Sequence, residues 1–305
     1  MVALDVGGSL TKIAAADEKG VLGPVERLPT PLDEGSDGLV RWIAARITSY
    51  ATALPGRCQG FGVVVPGIID VTAGVVRAAP NLGWYDVPLR DRLIELTQMP
   101  GAVGHDVRSG GLAEWRLGAG AGVANLLFLP LGTGIAGALV VDGRLLDADG
   151  YAGEIGHVQV PAAATLRCLC GQVGCLETVA SAAGVVRSYA EGSGDASAGT
   201  GARRVADLAR AGAPAAQGAF ALAARALTEA LMLTLTLLGP ELVIIGGGLA
   251  GAADLLVPAI QSGLAERVTF QRVPRVVPAR LGADAGVIGA GLLGWEHARA
   301  AQALT

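Results

Sequence analysis

One local pattern occurs twice in this chain and narrows what it can become: an apolar strand that enters a glycine turn and returns as a second strand. Residues 2–17, VALDVGGSLTKIAAAD, show it first, with VLGPVERL offering a third strand behind them. Residues 125–146, NLLFLPLGTGIAGALVVDGRLL, show it again and include an Asp142-Gly143 hairpin turn. Repetition of this kind predicts two related halves.

Between the two copies, Leu39, Trp42, Ile43, Ile47 and Tyr50 recur near helical spacing, and GFGVVVPGIID (60–70) reads as a buried strand broken at Pro66 and Gly67. A helix is expected from about Pro88 to Thr97 and a strand edge at AVGH, 102–105. Asp106 is then placed to cap a helix carrying Leu112, Trp115 and Leu117. After the second copy, residues 191–202 read as a flexible low-complexity loop. Long helices follow and lead to ELVIIGGGLAG (241–251), a buried strand meeting three glycines. A last helix is expected from about Val287 to Ala300. With a hinge near 105–120, the expected division is a smaller N-terminal α/β lobe, 1–105 plus about 287–305, and a larger α/β lobe, 106–286, with a metal-bound loop.

Composition sets the compartment and the partners. The chain has 305 residues, 51% hydrophobic and 16% charged, which excludes long disorder. Its net charge of −4 provides no general basic field, so no nucleic-acid partner is expected. The most apolar stretch, Phe220 to Leu238, is interrupted by Arg225 and Glu229 and reads as a core helix, so no membrane partner is expected either. With Asp5 near the start and no basic leader, a cytoplasmic location is expected. Three of the four cysteines lie within residues 168–175, a crowding that suggests a metal before disulfides.

Asp5-Val6-Gly7-Gly8-Ser9 sits where a strand ends, and its adjacent glycines let the backbone approach a phosphate. Leu131-Gly132-Thr133-Gly134 is the equivalent turn of the second half, and two such turns suit one triphosphate gripped from both sides. The dinucleotide pattern GxGxxG is met by residues 132–137, but strand-like sequence follows where a helix is required. Gly246, Gly248 and Gly251 also meet it, with a strand before and a helix after. No convincing ribose-binding acid follows about twenty residues on, and an adenosine or phosphate-edge contact fits equally well. No GxxxxGK[ST] P-loop occurs.

His157, Cys168, Cys170 and Cys175 supply one imidazole and three thiolates, a closed tetrahedral zinc shell that implies structure rather than Lewis-acid catalysis. Glu154 and Glu177 flank it, so the metal would hold two carboxylates toward a small polar ligand. Carboxylates accept hydroxyl hydrogen bonds, as a sugar requires. Asp106, at a helix start, is either a helix cap or a base kept ionised by the helix N-terminus.

LDVGGSLTK, GHDVRSGGLAE, LGTGIAG, GEIGHV and CLCGQVGCLET, in this order, resemble the motifs of the ROK family of repressors, open reading frames and sugar kinases, over nearly the whole chain. The resemblance implies the actin-like ATPase (ribonuclease H-like) fold, two α/β lobes around a central cleft. It also implies ATP with magnesium, transfer of the γ-phosphoryl group to a sugar hydroxyl, and a homodimer. By position, Asp106 resembles the family's catalytic base, and Glu154, His157 and Glu177 its sugar ligands, His157 serving zinc as well. Gly8, Ser9, Thr11 and Lys12 resemble the first phosphate segment, Gly132, Thr133 and Gly134 the second, and Gly246, Gly247 and Gly248 the adenosine side. Asn81 and Trp84 resemble the segment beside the sugar.

Two departures stand out. Where many family glucokinases read Asn-Asp-Ala-Asn, this chain has His105-Asp106-Val107-Arg108, which puts an imidazole in place of the sugar-contacting amide. Ser9 replaces the usual Thr and keeps the hydroxyl. Family repressors carry a winged helix ahead of the sugar-binding unit, whereas here the phosphate turn begins at Asp5. The expected function is a glucokinase-like kinase acting on a primary hydroxyl. An N-acetylhexosamine or cyclitol kinase is the alternative, and a non-enzymatic sugar sensor a remoter one.

Overall fold

The computed structural model describes residues 1–54, 56, 58–194 and 201–302. The chain forms two compact units: one holds Met1–Leu117, Asp147–Ala152 and the chain from Asp284 onward, the other Gly118–Leu146 and Gly153–Ala283.

Unit 1 begins with β1 (Val2–Val6), β2 (Leu10–Asp17) and β3 (Gly20–Pro29), the expected meander, followed by α1 (Gly35–Ala53), β4 (Phe61–Val65) and β5 (Ile68–Asp70). It continues through β6 (Val75–Ala79), β7 (Trp84–Val87), α2 (Leu89–Thr97), β8 (Gly101–His105) and α3 (Asp106–Leu117). Its main sheet runs β3-β2-β1-β4-β8, with β1, β4 and β8 parallel, and β5-β6-β7 form a small antiparallel sheet.

Unit 2 contains β9 (Leu126–Pro130), β10 (Ala138–Val141), β11 (Arg144–Leu145), α4 (Glu177–Ala180), α5 (Ala182–Ser193) and α6 (Ala202–Arg210). After these come α7 (Pro214–Leu238), β12 (Leu242–Gly246), α8 (Ala253–Arg267) and β13 (Arg275–Pro278). The sheet order is β11-β10-β9-β12-β13, with β9, β12 and β13 parallel. Each main sheet is thus a three-stranded antiparallel meander extended by two parallel strands, and the repeat seen in the sequence is a repeat of topology. The last helix, α9 (Ala285–Gln302), belongs to unit 1.

Strand periodicity decides what covers each face. In unit 1, Val2, Leu4 and Val6 with Phe61, Val63 and Val65 share a core with Leu39, Ile43 and Ile47 of α1. Alternate residues Ala3 and Val64 point the other way, into a cluster with Val287 and Ala290 of α9. With both faces covered, these strands read as continuous apolar runs. The α9 side is built for close approach: a Cβ at Gly62 would overlap the Ala290 carbonyl, and one at Gly289 the Ser109 carbonyl. In unit 2, Leu127, Leu129, Val243 and Ile245 form one core with Phe220, Leu227 and Leu231 of α7 and Leu256, Ile260 and Leu264 of α8. The stretches Pro214–Leu238 and Gly248–Arg267 have the length and composition of membrane spans. Here α7 is a core helix, as expected from Arg225 and Glu229; Glu229 accepts the Ala162 N–H at 2.9 Å.

Two expectations need correction. The boundary expected after His105 lies after Leu117, because α3 packs on α9, and Asp147–Ala152 also returns to unit 1. The loop expected over 191–202 is shorter: α5 runs to Ser193, Gly194 takes a left-handed φ of 69° and α6 begins at Ala202. Residues 195–200 of that expectation lie outside the described residues.

Candidate active site

In unit 1 the parallel strands β1, β4 and β8 end on one edge, where ligands of open α/β sheets gather. Asp5 and Lys12 are cross-strand partners in the β1–β2 register, and Lys12 Nζ donates to Asp5 Oδ2 at 2.9 Å. The turn between them is closed by Gly7 N–H donating to the Leu10 carbonyl at 3.0 Å, with Ser9 exposed at its tip. Gly8 lies against Asn81: a Cβ there would stand 3.4 Å from the Asn81 carbonyl oxygen. Asn81 is exposed, whereas Trp84 is fully buried and donates through Nε1 to the Ser36 carbonyl at 3.4 Å. Its indole packs the core rather than facing a ligand. Thr11, expected on the phosphate, is also fully buried; its hydroxyl pairs with that of Thr30 at 2.9 Å, and Thr30 donates to the Gly7 carbonyl at 2.7 Å. Thr11 therefore braces the turn from behind.

At the end of β8, the capping expected of Asp106 is shared with its neighbour. His105 Nδ1 accepts the N–H groups of Val107 at 3.1 Å and Arg108 at 3.3 Å, the second and third residues of α3. An Nδ1 that accepts carries no proton, so the ring is neutral. Burial, the largest cause, and the Arg108 charge push its pKa down to about 3, with Asp147 acting in the opposite direction. The approach of His105 Nδ1 to Asp106 Oδ1, 3.3 Å, is thus not an ion pair. Asp106 is the first residue of α3; its Oδ1 accepts the Val107 N–H at 2.7 Å, and its side chain is 30% exposed. Burial raises the Asp106 pKa, while the Val107 N–H, Lys12 and Arg108 pull it down. Asp5 is likewise raised by burial, with Lys12 opposing and Asp106 adding to the rise.

In unit 2 the turns after β9 and β12 are knitted together. Leu131 N–H donates to the Gly246 carbonyl and Leu249 N–H to the Leu131 carbonyl, both at 2.9 Å. Gly247, at φ 75°, fits only because it lacks a Cβ, which would stand 2.5 Å from the Leu131 oxygen. Thr133, Gly134, Gly247 and Gly248 are exposed, and Gly132 and Gly246 anchor the two turns. The structure therefore brings the expected second phosphate segment and the expected adenosine side onto one edge of the sheet.

Ile135, which sequence reasoning passed over, joins this edge to the acidic motifs. Its N–H donates to Glu177 Oε2 at 2.8 Å, and Gly156 packs so closely on its carbonyl that a Cβ would overlap it. The exposed Glu154 and half-buried His157 bracket that glycine, His157 N–H donating to the Glu154 carbonyl at 3.0 Å. Nothing in the sequence marks Ile135, since its role is carried by backbone atoms.

The four expected metal ligands converge. The ligand atoms of His157, Cys168, Cys170 and Cys175 all lie within 4.8 Å of one another. Cys170 and Cys175 Sγ are 3.7 Å apart, and Cys168 Sγ is 3.9 Å from His157 Nδ1. With Zn–S near 2.3 Å and Zn–N near 2.0 Å, a tetrahedral shell has edges of about 3.5–3.8 Å, so the donors fit. Burial and the neighbouring thiols push Cys175 up to about 12, whereas the Gln172 N–H lowers Cys170.

Two units built on one topology, each with a glycine turn after its first strand, form the actin-like ATPase fold in its sugar-kinase version. The chain belongs to the ROK family, whose model matches residues 1–296. It is 35% identical to a glucokinase of Halalkalibacterium halodurans, over 96% of this chain and 94% of that protein. It is 31% identical to an N-acetylgalactosamine kinase of Shewanella, over 95% of each. Its structure superposes on a ROK family glucokinase from Streptomyces griseus, solved in complex with glucose and AMPPNP, with a TM-score of 0.84 and 27% identity, covering 97% of this chain and 99% of that one. The chain is an ATP-using sugar kinase.

Proposed function

We propose that this sugar kinase is glucokinase-like, passing the γ-phosphoryl group of MgATP to a hexose primary hydroxyl, at C6, with Asp106 as general base. The observation that carries the reading is the division of labour at the start of α3: His105 takes the Arg108 N–H and shares the Val107 N–H with Asp106 Oδ1, which leaves the second oxygen of the partly exposed Asp106 carboxylate to act on a ligand. Burial makes that carboxylate a stronger base than an ordinary aspartate. Lys12, held by Asp5, and the turns at Gly8-Ser9, Gly132–Gly134 and Gly246–Gly248 are assigned to ATP, with magnesium entering on its phosphates and neutralising their charge. Glu154, His157, Glu177 and Asn81 are assigned to sugar hydroxyls, as is Nε2 of His105. His157, Cys168, Cys170 and Cys175 would hold zinc, which supplies a fixed point for the surrounding segment rather than a reacting centre. With His157 Nδ1 turned to the metal, Nε2 is the atom left for the sugar. Positioning and charge neutralisation carry most of such a transfer, and proton removal by Asp106 comes late. A homodimer in a reducing compartment such as the cytoplasm completes the reading, supported by likeness to the family and by the grouped thiols.

A second reading keeps the chemistry and changes the acceptor to an N-acetylhexosamine or a cyclitol. It is favoured by His105 and Arg108 standing where family glucokinases carry Asn, and by the Shewanella relative. Coupled ADP release measured over hexoses, N-acetylhexosamines and cyclitols separates the two; glucose is expected to give the highest kcat/KM, and a better N-acetylhexosamine or cyclitol overturns the first reading. Asp106→Asn is expected to lower kcat by about 10²–10⁴ while calorimetry still detects sugar binding. A variant within about tenfold of the parent removes Asp106 from the chemistry.

A further inference from the structure

Arg108 lies in the first turn of α3 and is only 4% exposed. Its Nη1 donates to the Gly150 carbonyl at 3.0 Å and reaches the Ala152 carbonyl at 3.5 Å, and its Nε is 3.1 Å from Asp147 Oδ1. All three acceptors belong to Asp147–Ala152, the segment that returns to unit 1. That segment is strained: Ala148, Asp149 and Gly150 have φ of 48°, 55° and 91°, and two of these left-handed residues are not glycine. Such conformations persist only where the surroundings over-determine them. Gly150 is also pressed on β5, where a Cβ would stand 2.6 Å from the Ile69 carbonyl oxygen. Glu154 follows Ala152 by two residues, and His157 comes three later.

We propose that Arg108 is a positioning residue for sugar binding: by clamping Asp147, Gly150 and Ala152 it fixes where the chain leaves unit 1 toward Glu154 and His157, and so sets affinity for the acceptor. The inference rests on the reading of Glu154 and His157 as sugar ligands. A lysine cannot reproduce it, because an ammonium lacks the planar fork that addresses a carboxylate and a carbonyl in fixed directions. The charge of Arg108 acts separately. Asp106 is faced by Lys12 of β2, Asp5 of β1, His105 of β8 and Arg108 itself, and both Lys12 and Arg108 favour its ionised form. Fork and charge are therefore separable by substitution.

The test is steady-state kinetics of the full chain with glucose and MgATP, folding being checked by circular dichroism. Arg108→Lys and Arg108→Met are both expected to raise the sugar KM about fivefold or more, with kcat and the ATP KM within about twofold of the parent. The acid limb of kcat/KM is expected to move to higher pH in Arg108→Met and to stay in place in Arg108→Lys. Asp147→Asn, at a partly exposed partner, is expected to raise the sugar KM by a smaller factor, and it decides the matter if both Arg108 variants misfold. A sugar KM unchanged in folded Arg108→Lys, or in Asp147→Asn when that variant decides, overturns the proposal; so does a loss confined to kcat. Glu154→Gln in the same assay probes the underlying reading: an unchanged sugar KM there removes the sugar-ligand assignment, whatever the Arg108 variants do.

Discussion

His105 illustrates what a residue's neighbours do to its chemistry. As a motif position it invites a sugar contact, and histidine is not among the residues preferred for capping, so the sequence offers no signal that Nδ1 closes a helix. Asp106, by contrast, was legible at once as a carboxylate between strand and helix. The cap has a pH signature. In the unfolded chain His105 takes a proton below about 6.5, whereas in the fold it resists protonation until about 3. Between those values the unfolded state holds more protons, so this contribution is complete above pH 6.5 and is lost as pH falls toward 3. Each pH unit between the two protonation midpoints is worth about 1.4 kcal/mol, which brings the contribution to several kcal/mol. The raised carboxyls of Asp5 and Asp106 have the opposite sign, binding protons in the fold first and so offsetting part of the acid loss. His105→Asn keeps a capping acceptor without the titration. Its urea-unfolding free energy is expected to fall less steeply than the parent's from pH 6.5 to 4; equal slopes would dissociate His105 from the acid sensitivity.

Among the elements, the loop carrying His157, Cys168, Cys170 and Cys175 has the least regular structure near the site. Its ladder is thin: Val160 N–H donates to the Gly174 carbonyl at 2.8 Å, Leu176 N–H to the Val158 carbonyl at 2.9 Å and Cys168 N–H to the Gln172 carbonyl at 2.8 Å. Leu169 is wholly exposed at the tip, so no apolar burial compensates there. The loop's order is expected to depend on metal: elemental analysis should find about one zinc per chain, and Cys168→Ser should lose it together with sugar affinity. Folded, fully active protein without zinc would refute this. The ligand set was legible because thiolates at such spacing serve few other ends. The β5-β6-β7 sheet was only partly so: Pro66 and Gly67 announced the break before β5, but VVRAA and WYDV are too short to declare themselves as strands.

Over the whole molecule, unit 1 is discontinuous, and the sequence showed this only in part. The return of the last helix was expected, but that of Asp147–Ala152 was not, because its tether is the buried Arg108 and a short irregular segment has no periodicity to read. All four tryptophans, Trp42, Trp84, Trp115 and Trp295, lie in unit 1, and Trp295 Nε1 donates to the Ala16 carbonyl at 3.3 Å. Tryptophan emission therefore reports unit 1 alone. A chain ending at Ala283 lacks α9 and leaves the Ala3, Ala14, Ala16 and Val64 face uncovered. It is expected to show red-shifted emission from Trp84 and protease cleavage throughout residues 1–117, while a fragment beginning near Gly118 survives. Native-like emission from that chain would mean that α9 is dispensable.

The same discontinuity has a consequence during synthesis. Roughly 170 residues separate the end of α3 from the start of α9, about ten to thirty seconds of translation at ordinary elongation rates. Through that interval the nascent N-terminal sheet shows the solvent the alanine-rich face that α9 covers in the finished fold. Its completion waits on the synthesis of α9, so the unit begun first is still open after the strands of the other have been made, and chaperone demand should concentrate there.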